Sequence, residues 1–241
     1  MRLHRFIGNF NLDLPTIKIA EPEMINQILK VFRLKIGDEL VLADGNKNEA
    51  ICRLENIDLP SKQAGKKYIE VFADKKYKNK NEAKTRVVLY CSVLKKENFE
   101  WVVQKATEVG VSEIVPIISE RTVKLNLNPK RLQKIIREAA EQSGRGLVPV
   151  IRSPIILAEA LKTARENCKL FFDASGKDIF HVSCHLSHVA IFVGPEGGWT
   201  EQEKTAAQHG GCQIVSLSTL TLRAETAAVV ASYLAINQNI P

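Results

Sequence analysis

Hydrophobic and polar positions change rhythm along this 241-residue chain. From residue 1 to about 73, apolar positions fall in short runs, among them HRFIGN, IKIA, ELVLADGNKNEAICRLENI and YIEVFA. Alternation with a period of two puts successive side chains on opposite faces of a strand, so these runs predict half-buried strands. Asp44-Gly45 between two of them is a hairpin signal, because glycine tolerates the positive φ of a tight turn. One helical stretch, residues 22–32, interrupts the pattern. The expected product is a small β-rich barrel.

After a lysine-rich stretch, apolar runs alternate with helical periodicity. RVVLYCSV, EIVPII, VPVI, KLFFDAS, VAIFV and CQIVSLS read as strands. Phe99, Val102, Val103, Ala106 and Val109 share one helical face, and Gly110 stops that helix. Asn128-Pro129 supplies a cap and first-turn proline for a helix burying Leu132, Ile135, Ile136, Ala139 and Ala140. A last helix covers residues 224–237. Continuous apolar strands with helical crossovers predict an α/β fold, its parallel sheet covered on both faces. The expected organisation is a barrel over residues 1–73, a linker over 74–85 and an α/β domain over 86–241.

Composition adds boundaries. With 45% hydrophobic residues, the chain is an ordinary globular protein, large enough to bury a core without disulfide staples. No apolar run approaches the roughly 18 residues of a membrane span. The opening MRLHRFIGNF lacks the apolar core of a secretory signal, so no membrane partner and a cytoplasmic location are expected. Cys52, Cys91, Cys168, Cys184 and Cys212 include no CxxC pair and read as reduced core thiols. A formal charge of +7 and a pI near 9.1 permit a polyanionic partner without demanding one. Lys75, Lys76, Lys78, Lys80, Lys84 and Arg86 read as a solvated linker, with a phosphate-facing ridge as the alternative. His181, Cys184, His185 and His188 precede one strand in a single short loop, whereas structural zinc draws paired ligands from two segments; no metal is expected. Trp101 and Trp199 read as packing residues.

The most informative stretch is VAIFVGPEGGWTEQE, in which a strand ends, a GPEGG loop follows and a helix begins with Thr200 and Glu203 in capping-box spacing. Three glycines at the carboxyl end of a parallel strand let a ligand approach the backbone closely. The pattern is neither of the common phosphate cradles, and Glu196 would repel a pyrophosphate. A cationic or hydroxyl-bearing ligand suits it better. At the end of the next strand lies LSTLTLRAETAA, where Glu225 suits a helix amino terminus but Arg223 opposes its dipole and needs another reason to be there.

These two blocks, together with KKENFEWVVQKATEVGVSEIVPIISERTV and the EAAEQSGR of residues 138–145, resemble the bacterial 16S ribosomal RNA (uridine(1498)-N3)-methyltransferase family, over nearly the whole chain and in the family's order. The resemblance implies a SPOUT-type α/β domain with a carboxyl-terminal trefoil knot that holds S-adenosyl-L-methionine, preceded by a PUA-like β-barrel that helps bind RNA. It also implies a homodimer acting on 16S rRNA in the small ribosomal subunit. Carried over by position, Phe172, Gly194, Pro195, Glu196, Gly197, Gly198, Leu217, Ser218 and Leu222 would hold the cofactor. The second block departs from the family pattern at Ser218, Leu220 and Thr221, where glycine, arginine and isoleucine are common.

Methyl transfer from a sulfonium to a ring nitrogen needs aligned reactants, and uridine N3 must also lose a proton. Arg223 is expected to stabilise the resulting anion, with Glu225 either orienting Arg223 or accepting the proton. Because N3 lies on the Watson-Crick edge, the target must be unpaired or turned out of its stack. Arg2, His4, Arg5, Lys105, Arg121, Arg137 and Arg145 are candidate RNA contacts, each with a surface or interface ion pair as the equal alternative. A non-catalytic RNA-binding or ribosome-assembly factor is the second reading. A nucleotide-dependent oxidoreductase ranks last, because no glycine fingerprint stands early in the sheet.

Overall fold

A computed structural model describes residues 3–58, 67–123, 126–182 and 187–237. The chain divides into two compact units, residues 1–82 with 141–147, and residues 83–140 with 148–241.

The first unit contains β1 (Arg5–Ile7), β2 (Thr16–Ile19), α1 (Pro22–Asn26) running on as a π-helical turn at Gln27–Val31, β3 (Glu39–Ala43), β4 (Asn48–Asp58) and β5 (Tyr68–Lys78). Its sheet has the order β1-β3-β4-β5-β2, antiparallel except for β1 beside β3. Period-two alternation turns Leu40, Leu42, Cys52, Leu54, Ile69 and Val71 into one core with Ile28 of the helical segment. The β3–β4 turn forms where expected: Asp44 Oδ1 accepts the N–H groups of Asn46 and Asn48 at 2.7 and 3.1 Å.

Two features differ from the expected organisation. The strand predicted over residues 68–73 continues to Lys78, pairing Lys75, Lys76 and Lys78 with Ile51, Ala50 and Asn48 of β4. The lysines look like a linker because they are polar, but the ladder needs only backbone groups, and Tyr77 among them donates to the buried Glu49 at 2.8 Å. Residues 141–147 also join this unit: Glu141 Oε1 accepts the Ile7 N–H at 2.7 Å, and Gly146 O accepts the Lys47 N–H at 2.7 Å. Such long-range pairing leaves no periodic trace in sequence.

The second unit contains β6 (Arg86–Ser92), α2 (Lys96–Val109), β7 (Glu113–Ile118), most of α3 (Pro129–Ser143), β8 (Val150–Ile151), β9 (Ile155–Ile156), α4 (Leu157–Thr163), β10 (Cys168–Asp178), β11 (His188–Val193), α5 (Glu201–His209), β12 (Gln213–Ser216) and α6 (Ala224–Asn237). The strands form one parallel sheet in the order β12-β10-β11-β6-β7-β8, with β9 also on β7. Alternate residues of β6 explain how both faces are covered. Val87, Leu89 and Cys91 pack with Phe99, Val103, Ile136, Ala228 and Ala231, while Val88 and Tyr90 pack with Leu157, Leu161 and Ala207. The short α4 was not anticipated; its first turn has no side-chain cap to announce it.

Cys52, Cys91 and Cys212 are buried free thiols. Cys168, expected to be reduced like them, is disulfide-bonded, and its apolar surroundings give no hint of it. No helix among the described residues is long and apolar enough to cross a membrane.

Candidate active site

All strands of the second sheet run the same way, so their carboxyl ends open on one edge, where α/β sheets bind ligands. A pocket of about 560 Å³ lies there, a volume suited to a small molecule. Its walls come from three strands and two helix starts: Phe172 and Asp173 within β10, residues 194–196 and 198 after β11, Leu217, Ser218 and Leu222 after β12, Arg223 with Glu225 at α6, and the start of α2. Every expected cofactor residue lines the pocket except Gly197, whose carbonyl is turned to the Arg121 guanidinium at 2.7 Å.

The β11 loop is shaped by close approach. A side chain at Gly194 would place its Cβ 2.9 Å from the Trp199 ring, and Gly198 takes a φ of +68°. Trp199 is only 5% exposed, donates its Nε1–H to Phe172 O at 2.9 Å and packs 4.3 Å from the Phe171 ring, as the packing reading predicted. The capping box forms as well: Thr200 Oγ1 accepts the Glu203 N–H at 3.3 Å and Glu203 Oε2 accepts the Thr200 N–H at 2.9 Å.

The β12 loop is held by Ser218, whose hydroxyl accepts the Leu220 N–H at 3.0 Å. A serine where glycine is common thus contributes a turn of its own, and leaves Leu220 75% exposed at the pocket. The Arg223 carbonyl accepts the Ala227 N–H at 2.8 Å, so Arg223 caps α6. Its side chain is exposed and makes no hydrogen bond or ion pair among the described residues. Glu225 Oε2 is buried and likewise has no partner. The two side chains do not pair, so an orienting role of Glu225 toward Arg223 has no contact behind it.

Sequence reasoning missed Asp173, Lys95 and Asn98, which also line the pocket. Asp173 sits where the β10–β12 register breaks, between Phe172 and Lys177. Burial alone would raise its pKa, but hydrogen bonds from Ser175 and the nearby Lys204 charge outweigh this and hold the carboxyl below its ordinary value. Asp173, Glu196 and Glu225 set three carboxylates against Lys95 and Arg223, an acidic balance that favours a cationic ligand. The FDAS and LKKEN stretches that carry the missed residues match no motif of known spacing.

Comparison with known proteins agrees with this geometry. A family model described as an RNA methyltransferase domain matches residues 81–236, and one described as an RNA methyltransferase PUA domain matches residues 28–67. Ribosomal RNA small subunit methyltransferase E of Rickettsia conorii is 31% identical over 221 residues, covering 89% of this chain and 87% of the relative. The chain belongs to the ribosomal RNA small subunit methyltransferase E family. Among solved structures, the family member from Neisseria gonorrhoeae bound to S-adenosyl methionine superposes with a TM-score of 0.83 at 31% identity, covering 96% of this chain and 95% of the other. A Legionella pneumophila protein in complex with the cofactor SAM gives a TM-score of 0.85 at 28% identity, over 98% and 97% of the two chains.

The basic candidates for RNA contact are mostly engaged within the protein. Arg145 is 5% exposed and its guanidinium meets Glu82 at 2.9 Å, the ion pair that stood as the equal alternative to RNA contact there, and a buried charge requires such a partner. Arg5 pairs with the fully buried Glu49 at 3.1 Å, and Lys105 with Glu108 at 2.9 Å. Arg121 holds backbone of the β11 loop. Arg2 lies outside the described residues, as do Cys184 and His185 of the His/Cys loop. Among the described residues, no three His, Cys, Asp or Glu side chains gather as a metal site.

Proposed function

We propose that this chain transfers a methyl group from S-adenosylmethionine to N3 of a uridine in small-subunit ribosomal RNA, the nucleotide at position 1498 of 16S rRNA by the family resemblance. The observation that carries the reading is the pocket between the β11 and β12 loops, with a buried, unpartnered Glu225 oxygen in its wall. A buried acceptor without a protein donor calls for a donor from a ligand, or for a proton.

The pocket's volume, its glycine-bordered wall and its acidic balance fit a positively charged sulfonium cofactor. Phe172, residues 194–198, Leu217, Ser218 and Leu222 would hold it. S-adenosylmethionine, when bound, supplies an electrophilic methyl group on sulfur. The protein's own work is alignment and charge. Two loops braced by Trp199, Ser218 and the Thr200–Glu203 box keep the reactants in line. Arg223, without a partner among the described residues at the pocket wall, stabilises negative charge spread over the uridine carbonyl oxygens. Glu225 accepts the N3 proton; the missing contact with Arg223 favours this over an orienting role. The reaction asks for no metal.

The remaining parts of the proposal follow the same reading. The PUA-like unit helps bind the RNA. The enzyme works as a homodimer: α6 is apolar around most of its circumference, burying Ala228, Ala231 and Ala235 inward while leaving Tyr233 53% exposed, and a helix apolar on all sides asks for a second covering surface. A trefoil knot is supported by the strand order, in which the chain leaves β11 and passes β10 to add β12 beyond it. The location is cytoplasmic, where ribosomal subunits are assembled. The test is to incubate the protein with labelled methyl donor and small subunits lacking the modification, then map the label. Label on N3 of that uridine supports the proposal; label on another base, or none, rejects it.

A further inference from the structure

Arg121 lies in the loop after β7, not in the pocket wall, yet its contacts concentrate on the backbone of the glycine-rich loop after β11. Nη1 donates to the carbonyls of Gly197 and Trp199 at 2.7 and 3.4 Å. The aliphatic stem lies across Gly197, with Cδ and Cβ 3.4 and 3.5 Å from where a side chain there would begin. One residue earlier, the Glu120 N–H donates to Glu203 Oε1 at 2.9 Å, joining the same loop to the first turn of α5.

This loop is itself fastened to the sheet. The Ser119 N–H donates to Thr122 Oγ1 at 2.9 Å, the two hydroxyls lie 2.8 Å apart, and Ser119 Oγ meets the fully buried Ser92 Oγ of β6 at 3.2 Å. A strut is useful only when its base is fixed, and these contacts fix it. The supported segment holds three glycines, so unbraced it would lose much conformational entropy whenever a ligand ordered it.

We infer that Arg121 is a positioning residue for the cofactor loop, and that its contribution to the enzyme is affinity for S-adenosylmethionine rather than for RNA. This rests on the reading of residues 194–198 as the cofactor loop. By holding two carbonyls on the outer side of the loop, Arg121 sets its pocket-facing side before the cofactor arrives, and the ordering cost falls outside the binding step.

The test uses the full chain with Arg121→Met, which keeps the stem over Gly197 and removes both hydrogen bonds, and Arg121→Lys, which restores a single cation. Calorimetric titration with S-adenosylhomocysteine should show binding weakened about tenfold in Arg121→Met, the size of one charge-assisted hydrogen bond, with Arg121→Lys between it and the parent. The donor KM should rise in parallel while kcat at saturating donor, RNA KM and the salt dependence of RNA binding stay unchanged. Unchanged S-adenosylhomocysteine affinity in Arg121→Met overturns the inference, and a salt slope reduced by about one would reassign Arg121 to a phosphate contact. A parent protein that binds no S-adenosylhomocysteine would instead bring down the reading of the pocket. Should Arg121→Met not fold, Arg121→Lys with parental cofactor affinity overturns the inference on its own.

Discussion

Gly194→Ala is the sharpest perturbation of the β11 loop. The added Cβ would lie 2.9 Å from Trp199 Cε2 and 3.1 Å from Cδ2 and Nε1, closer than packed carbon atoms allow. Trp199 cannot step aside freely, since its indole is hydrogen-bonded to Phe172 O at 2.9 Å and packed, tilted, against Phe171 with the ring centroids 4.3 Å apart. Overpacking of this kind costs about 1–3 kcal/mol, and loosening the indole hydrogen bond adds about 1 kcal/mol. At roughly 2–4 °C per kcal/mol for a chain of this size, the melting midpoint should fall by roughly 4–16 °C. Because Phe172 and Gly194 both line the pocket, S-adenosylhomocysteine binding should weaken together with stability. Scanning calorimetry with and without S-adenosylhomocysteine checks both effects. A midpoint within about 1 °C of the parent, with parental ligand affinity, would refute the close approach of Trp199 as the reason for glycine here.

Arg223→Ala should lower kcat by at least about tenfold and leave the melting midpoint unchanged, because the side chain has no partner among the described residues to lose. Glu225→Gln should lower kcat by about 10²-fold or more if it accepts the proton; less than about tenfold loss in both variants would reject these roles. Burial pushes the thiols of Cys52 and Cys212 up to about 11 and that of Cys91 to about 12, from an ordinary 9.0. Their folded values exceed the unfolded one, so their stabilisation is complete below pH 9.0 and is lost as pH rises toward 11–12. Melting midpoints should therefore hold steady up to about pH 8.5 and decline above it, and rapid labelling of Cys91 by a thiol reagent in the native protein near pH 8 would contradict this burial. Glu203→Ala removes the capping box and the acceptor for the Glu120 N–H, and should lower the midpoint by roughly 2–6 °C, read by the same calorimetry.

What could be read in the sequence was what local periodicity and loop chemistry encode. The alternation in β4, the unbroken apolar runs of β6 and β11, and the capping box before α5 each act over a few residues and each appears in the fold. The glycines of the β11 loop were legible because close approach and positive φ leave few other choices. What stayed hidden depends on residues far apart in the chain. The burial of Arg145 is decided by Glu82, 63 positions earlier, and the membership of residues 141–147 in the first unit by Ile7 and Lys47. Arg121 looked like a basic surface residue because nothing near it in sequence announces Gly197. Asp173 entered the pocket through a register break in β10, for which a polar DAS stretch is too common a pattern to serve as a signal. The lysines of β5 misled for the opposite reason: their side chains advertise solvent while their backbone completes a ladder.

The most direct measurement is a crystal structure of the full chain with S-adenosylhomocysteine. The ligand should lie against residues 194–198 and 217–222 with its sulfur facing Arg223 and Glu225. Those two segments closed over one another by their own side chains, or the ligand bound at a different part of the molecule, would contradict it.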